Sequence, residues 1–229
     1  MPPGTITSLV IQTHDKTRVN VFVDGAFALG VTLATLQREG LYKGKVLDGV
    51  AWSRLERAEA DEQAWQAALR LLETRPRTEH EIRDRLRRKA YVPEQIEGVV
   101  LRLRELGLID DGSFAKLWIE NRAATKPKGP QALRQELMSK GVDREIAAQV
   151  IAESTSPELE AEQCMQIARQ VVRRYSNAPD KLTFQRKLGA FLQRRGYRFD
   201  TCKPVLQTLW AELQGANEPD EEEDSYEPE

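Results

Sequence analysis

The sequence predicts a mainly α protein in which three tandem three-helix repeats follow a small antiparallel β-sheet or hairpin domain. Two observations support this fold class. An apolar pattern with helical spacing runs through residues 64–108 and returns twice downstream. Ahead of it, apolar and polar residues alternate on both sides of the dipeptide Asp24-Gly25, which is typical of a β-hairpin.

The segment 64–108 divides into three short amphipathic helices. Thr78 and Glu81 form a capping-box pattern, so a second helix is expected to begin there. Pro93 suits the first turn of a third helix, and Gly107 predicts its end. Apolar residues recur at helical spacing in all three: Ala68, Leu71 and Leu72, then Ile82 and Leu86, then Ile96, Val99, Val100, Leu103 and Leu106.

The recurrence of this pattern is the strongest internal support for the fold. A shift of 47 residues places Ala115, Trp118 and Ile119 on the first helix, and a shift of 51 places Leu133 and Leu137 on the second. A third, weaker copy contains Ala168, Val171, Val172, Leu188, Leu192, Arg195-Gly196-Tyr197, Cys202, Val205, Leu206 and Leu209. Because one unit is too small to bury much apolar surface, the units are expected to stack into an elongated, curved array.

We therefore divide the chain into five regions. The final region is expected to be disordered because it contains almost nothing that could be buried. The regions are 1–59 (N-terminal β-hairpin plus short helices), 60–108 (three-helix repeat 1), 109–155 (three-helix repeat 2), 156–216 (three-helix repeat 3) and 217–229 (disordered acidic tail).

In the N-terminal region, Asp24-Gly25 is the preferred dipeptide of a two-residue type I′ turn. It joins the second and third of three predicted strands: Ile6 to Gln12, Arg18 to Val23, and Ala26 to Val31. Thr32 is placed to cap a short helix that ends at Gly40. Residues 44–48 are expected to lead into a longer helical stretch with apolar positions at Val50, Leu55, Trp65 and Leu69.

Charge is distributed unevenly along the chain. The formal net charge is −2, but Glu218 to Glu229 contain eight acids and no bases, so residues 1–217 carry a net charge of +6. The stretches Arg75 to Arg104 and Arg173 to Lys203 each contain nine lysines and arginines. Such stretches favour a polyanion or an acidic protein groove as the partner, although a solvated helix face explains any single stretch equally well.

Several other classes of protein are disfavoured. No apolar run approaches the roughly 18 residues of a membrane span, and the first residues do not form a signal peptide, so we expect a cytoplasmic protein without a membrane partner. Cys164 and Cys202 occupy apolar helical positions, which predicts free core thiols. Because no nucleophile constellation, phosphate-binding loop or dinucleotide fingerprint occurs, we expect no catalytic residues, no cofactor and no metal site.

Two loops require a choice between interpretations. In Asp110-Asp111, a helix cap is favoured over acid/base catalysis, because adjacent side chains in a turn do not converge. The loop Thr125 to Pro130 has two possible roles. It is either a plain connector, which is favoured, or an anion site formed by N–H groups at the start of a helix.

Motifs in the repeats occur in a fixed order, beginning with Arg75-Pro76-Arg77-Thr78 and Glu81-Ile82. Next come Gly107-Leu108-Ile109-Asp110-Asp111, Phe114-Ala115, Trp118-Ile119 and Arg122. These are followed by Lys128-Gly129-Pro130 and Lys140-Gly141-Val142. In this order and spacing they resemble the RecX regulatory protein family over residues 64–153, and more weakly to about residue 213. The N-terminal hairpin resembles an extra domain of some members. Ala90 departs from the family pattern, which often has glycine there.

The resemblance implies a non-enzymatic modulator of the RecA recombinase that acts in DNA repair, DNA recombination and the SOS response. Members of the family lie in the groove of the RecA–single-stranded DNA filament and limit filament growth, ATP hydrolysis, strand exchange and coprotease activity. This chain is therefore expected to be a monomer. Its expected partners are the RecA filament and single-stranded DNA, the DNA being contacted directly or through the filament.

The expected contact residues are basic side chains placed away from the predicted apolar faces: Arg83, Arg87, Arg88, Lys128, Arg194, Arg195 and Arg198. Charge reversal of the first three is expected to weaken filament binding without loss of helicity. A direct DNA-binding protein is the alternative, because the second and third helices of each unit are close in size to a helix-turn-helix. A nuclease is the third possibility, and the lack of clustered carboxylates counts against it.

Overall fold

The structure, a computed structural model, describes residues 4–215. The predicted acidic tail at 217–229 lies outside the described residues. Four strands lie near the N terminus: β1 (Gly4–Ile11), β2 (Arg18–Val23), β3 (Ala26–Thr32) and β4 (Val46–Leu47). The helices are α1 (Leu33–Arg38), α2 (Gly49–Thr74), α3 (Glu79–Arg88), α4 (Pro93–Glu105), α5 (Asp111–Thr125), α6 (Pro130–Ser139), α7 (Arg144–Ser154), α8 (Pro157–Val171), α9 (Lys181–Arg194) and α10 (Phe199–Gly215), with a 3₁₀ turn at Val172–Arg174.

The chain forms two compact units that meet in sequence at Asp110 and Asp111. The first unit contains the sheet and α1 to α4, and the second contains α5 to α10. Helix α2 runs without interruption through the predicted boundary at residues 59 and 60. The division into five regions and the elongated, curved arrangement both stay predictions.

The four strands form one antiparallel sheet in the order β3-β2-β1-β4. Val19, Val21 and Val23 of β2 are buried against α2, as their alternation predicted. Asp24 and Gly25 have φ angles of 49° and 85°, the left-handed pair that a type I′ turn requires. The two-residue strand β4 was not predicted, because a strand this short has no alternation to detect.

Ion pairs formed by two buried carboxylates connect the sheet and α1 to helix α2. The Glu59 carboxylate is 2% exposed and accepts hydrogen bonds from Arg18 Nη2 and the Thr32 N–H, each at 2.9 Å. Glu62, one turn further on, lies 3.6 Å from Arg38 Nη1. An unpaired buried carboxylate would be costly, so these contacts require the sheet to stay against the helix that also begins the first repeat.

Each three-helix repeat has its own apolar core, and equivalent residues fill equivalent positions. A fully buried alanine on the first helix of each repeat lets the helices approach closely: Ala68, Ala115 and Ala168. A fully buried leucine lies in the last turn of the second helix of each repeat: Leu86, Leu137 and Leu192. The predicted recurrence is therefore confirmed, including the weak third copy.

The same turn closes the second helix of every repeat. The carbonyls of Leu86, Leu137 and Leu192 accept the N–H groups of Tyr91, Val142 and Tyr197 at 3.3, 3.0 and 3.2 Å. This Schellman pattern requires a left-handed residue just before each donor. That residue is Ala90 (φ 62°), Gly141 (φ 83°) or Gly196 (φ 92°). The first repeat alone carries a Cβ at this position, where it is strained.

The third repeat buries both cysteines. Cys164 and Cys202 are free and 0% exposed, as predicted. The hydrogen bond to Cys202, together with burial, raises the pKa of the Cys164 thiol. Between residues 4 and 215 the structure contains no group of three or more His, Cys, Asp or Glu side chains that could hold a metal ion. No helix in that range is long and apolar enough to cross a bilayer.

We predict that Ala90→Gly raises the free energy of unfolding by about 0.5–1 kcal/mol, because glycine removes the strained Cβ at φ 62°. Urea unfolding followed by circular dichroism measures the change. Gly141→Ala at the equivalent position is the reciprocal control and is expected to lower stability by about 1 kcal/mol or more. A destabilised Ala90→Gly protein would contradict the strain argument.

Candidate partner-binding surface

The predicted contact residues separate into two groups in the structure. Arg83 and Lys128 are held by carboxylates of their own repeats. Arg87, Arg194 and Arg198 are exposed, and no carboxylate among residues 4–215 pairs with them. Arg88 and Arg195 make weaker contacts within the protein. The sequence pattern does not distinguish these groups, because it shows charge but not the partner of each charge.

Arg83 joins α3 to α4 in the first repeat. Its Nε and Nη2 donate to Glu97 at 3.0 and 2.9 Å, and its Nη1 donates to Glu79 at 2.8 Å. Arg104 donates to the same Glu79 at 2.8 and 2.7 Å. The hydrogen bond to Glu97, reinforced by Glu79, raises the pKa of Arg83 despite its partial burial. Charge reversal here would also break a helix-to-helix contact, and unchanged helicity after charge reversal stays a prediction.

The neighbouring arginines of α3 are more accessible. Arg87 is exposed, and Arg88 pairs only with Asp84, one turn before it on the same helix, at 2.7 Å. A surface pair of this kind contributes at most about 1 kcal/mol, so a partner can replace it. Both side chains can therefore contact an anionic partner without disturbing the repeat.

Lys128 takes part in a network around Glu136 in the second repeat. Glu136 accepts hydrogen bonds from Lys128 Nζ at 2.5 Å, Arg122 Nε at 2.8 Å and Trp118 Nε1 at 2.9 Å. Burial works to raise the pKa of Glu136, but these donors outweigh it and lower the pKa. The carboxylate therefore stays ionised, and Lys128 is directed toward its own repeat.

The loop Thr125 to Pro130, which connects α5 to α6 within the second repeat, contacts the third repeat. The Gly129 N–H donates to the Arg195 carbonyl at 2.9 Å, and the Gln131 N–H donates to the Gly196 carbonyl at 3.2 Å. A Cβ added to Gly129 would lie 2.4 Å from the Gly196 carbonyl carbon. These N–H groups are occupied, so the anion-site interpretation of the loop is not supported. The connector interpretation holds, with an added role in joining the repeats.

The third repeat presents the exposed cations. On α9, Arg186, Lys187 and Arg194 are exposed, whereas Phe184 and Leu188 of the same helix are buried. Arg195 is half-buried, with its guanidinium 5.4 Å from the centre of the Phe191 ring. None of the nine cations between residues 173 and 203 forms an ion pair within the described chain. We call them the third-repeat basic surface: Arg173, Arg174, Lys181, Arg186, Lys187, Arg194, Arg195, Arg198 and Lys203.

The three repeats have the same turn after their second helix, and the third repeat carries the unpaired cations. These features define a tandem three-helix-repeat protein with a candidate basic contact surface. Family models match four segments: the regulatory protein RecX N-terminal domain at 4–48, and the first, second and third RecX three-helix domains at 64–103, 110–151 and 158–206. The chain belongs to the RecX regulatory protein family.

Individual relatives agree with this assignment. The regulatory protein RecX of Listeria welshimeri is 32% identical over 94% of this chain and 79% of the relative. That of Clostridium perfringens is 27% identical over 90% of this chain and 96% of the relative. A crystal structure of regulatory protein RecX is 28% identical, with a TM-score of 0.77 over 88% of this chain and 98% of the other. RecX from Lactobacillus salivarius has a TM-score of 0.62 at 27% identity, over 67% of this chain and 99% of the other.

We predict that Arg83→Gln lowers the free energy of unfolding by about 1 kcal/mol, because both of its carboxylate partners lose their shared donor. Arg87→Gln, four residues away on the same helix, is the matched control and should change stability by less than about 0.5 kcal/mol. Urea unfolding of both variants measures the difference. Equal effects would show that the network has no structural role.

We also predict that Gly129→Ala lowers stability by about 2 kcal/mol or more, since its Cβ would overlap the Gly196 backbone. Gly98→Ala is the control, because a Cβ there meets nothing within 4 Å and alanine favours the helix. That variant should be stabilised by about 0.5–1 kcal/mol. Thermal unfolding reports both changes, and a neutral Gly129→Ala would argue against the close contact between the two backbones.

Proposed function

We propose that this protein binds in the groove of the RecA–single-stranded DNA filament and modulates its activities, with inhibition as the expected direction. The affected activities would be filament growth, ATP hydrolysis, strand exchange and coprotease cleavage. Membership in the RecX family supports the proposal. The structural observation that carries it is the third-repeat basic surface, whose cations have no carboxylate partners in the described chain.

Unpaired surface cations suit this partner for a physical reason. A DNA phosphate or an acidic protein side chain gains a charge-assisted hydrogen bond from each cation, and no internal ion pair must first be broken. Arg87 of the first repeat offers a further contact of this kind, and Arg88 beside it requires only that its exposed pair with Asp84 be replaced. Weak contacts on linked modules reinforce one another through effective concentration, so no single deep pocket is required.

The predicted contact residues accordingly take different roles in the proposal. Arg194, Arg195 and Arg198 of the third repeat, with Arg87 and Arg88 of the first, are the direct contacts. Arg83 and Lys128 hold the helices that carry nearby cations, and they reach the partner only if their carboxylate pairs open. The protein is proposed to act as a cytoplasmic monomer without catalysis.

The alternative, a direct helix-turn-helix-like DNA-binding protein, is less well supported. It requires cations on the third helix of a repeat, the helix that would enter a DNA groove. In α4, Arg102 lies 4.0 Å from the centre of the Trp65 ring and Arg104 pairs with Glu79. Helix α7 has a single basic residue, Arg144, and α10 has only Lys203. Most cations of the third-repeat basic surface lie on α9 and its flanking turns instead.

The combined change Lys187→Glu, Arg194→Glu and Arg198→Glu is expected to weaken filament binding by at least about tenfold, because three phosphate or carboxylate contacts become repulsive. The dependence of binding on salt should also fall, by about 2 in log–log slope if the contacts are single-stranded phosphates. Fluorescence anisotropy over a salt series measures both quantities.

A matched control makes the same change in net charge at exposed lysines elsewhere: Lys16→Glu, Lys43→Glu and Lys126→Glu. It should retain most of the affinity. Binding of the unaltered protein to naked duplex, naked single strand and preassembled filament at one fixed salt concentration tests the partner itself. Preference for the filament supports the proposal, whereas tight, sequence-selective duplex binding would replace it with the alternative.

A further inference from the structure

We propose that the acidic tail, Glu218 to Glu229, docks on the third-repeat basic surface of the same chain and competes there with anionic partners. The tail would then regulate access to the contact surface. The docking stands independently of the proposed function. Only its consequence for the RecA filament rests on that function.

Charge complementarity is the first argument. The tail contains eight carboxylates and no basic residue. The third-repeat basic surface contains nine cations, and only two acids, Asp180 and Asp200, lie in the same stretch. Asp180 is already engaged as a helix cap, accepting the Thr183 N–H at 2.7 Å. Few local carboxylates are therefore placed to neutralise these cations.

The position at which the described chain ends is the second argument. Phe184 near the start of α9 contacts Trp210 near the end of α10, with ring centres 5.3 Å apart. The described chain therefore ends, at Gly215, toward the end of the third repeat at which α9 begins. Fourteen further residues can extend to about 46 Å, whereas the fourteen-residue α9 is about 21 Å long. The tail can reach every cation on α9 and the turn after it.

The pairing state of other cations explains why the third repeat is the favoured position. In the basic stretch of the first repeat, four of the nine cations already pair with a carboxylate, so fewer are open to the tail than on the third-repeat basic surface: Arg75, Arg83, Arg88 and Arg104. The tail would have to displace those carboxylates, with little net gain. On the third-repeat basic surface it gains new pairs instead.

The strength of such docking suits a regulatory contact. Each exposed ion pair is weak, but covalent attachment gives the tail an effective concentration in the millimolar range. Salt screens exposed charges beyond a Debye length of about 8 Å at physiological ionic strength, so docking should weaken as salt rises. A nucleic acid or an acidic protein surface that offers more charges would displace the tail.

Zero-length carbodiimide cross-linking of the full chain, read by mass spectrometry, tests the docking without any partner. We expect cross-links from tail carboxylates to the lysines of the surface: Lys181, Lys187 and Lys203. They should persist on dilution, because the contact is within one chain, and disappear at high salt. Tail cross-links only to lysines elsewhere, or none at all, would overturn the docking.

Competition is tested by neutralising four tail acids in the full chain with Glu221→Gln, Glu222→Gln, Glu223→Gln and Asp224→Asn. The probe is a single-stranded oligothymidine, and the expected result is several-fold tighter binding at low salt that converges with the unaltered protein at high salt. The control changes net charge equally at exposed acids of the first unit: Glu56→Gln, Asp61→Asn, Glu73→Gln and Glu94→Gln. An equal gain in oligothymidine affinity in both variants would show that the effect depends only on net charge, and would overturn the proposed competition by the tail.

The filament assay separates this inference from the proposed function. If the cross-links form and oligothymidine binding tightens, but the unaltered protein and the tail variant both ignore the RecA filament, the docking stands and the proposed function fails. If the filament is bound equally by both proteins and no tail cross-links form, the proposed function stands and this inference fails.

Discussion

The packing of a small alanine against a helix that ends in a buried leucine is the constraint on which this structure depends. Each repeat has only three short helices, so close helix contact is required to form any core at all. Ala68, Ala115 and Ala168 are all fully buried at this contact. The left-handed turn that follows each second helix then directs the third helix back onto the first two. Because this arrangement occurs three times, one local rule organises most of the chain.

The basic residues serve two physical purposes on this scaffold. Arg83 and Lys128 sit near carboxylates of their own repeat and hold helices or loops in place. Arg194 and Arg198 have no such carboxylate in the described chain and remain exposed. The internal pairs occupy some cations of the first and second repeats, whereas none of the nine cations of the third-repeat basic surface has an ion pair within the described chain. Specificity of contact thus depends on which charges are left without a partner.

Contacts between structural elements limit how far each repeat can move on its own. In the first unit, the buried Glu59 carboxylate ties the sheet to the helix that begins the first repeat, and the buried Glu62 carboxylate ties α1 to the same helix. In the second unit, the backbones of Gly129 and Gly196 touch, and two hydrogen bonds join the repeats. A partner bound to the third repeat therefore contacts a body that includes the second.

The sequence by itself determined the helical repeats, the hairpin with its Asp24-Gly25 turn, and the family. All three depend on the spacing of residues that are close together along the chain. The short strand β4, the buried Glu59 and Glu62, and the contact between Gly129 and Gly196 were decided only by tertiary structure, since each joins residues distant in the chain. The same holds for the basic surface. From the sequence, Arg83 and Arg194 look alike. In the folded protein Glu79 and Glu97 pair with Arg83, whereas no described carboxylate pairs with Arg194. Tertiary structure therefore distinguishes a structural cation from a free one.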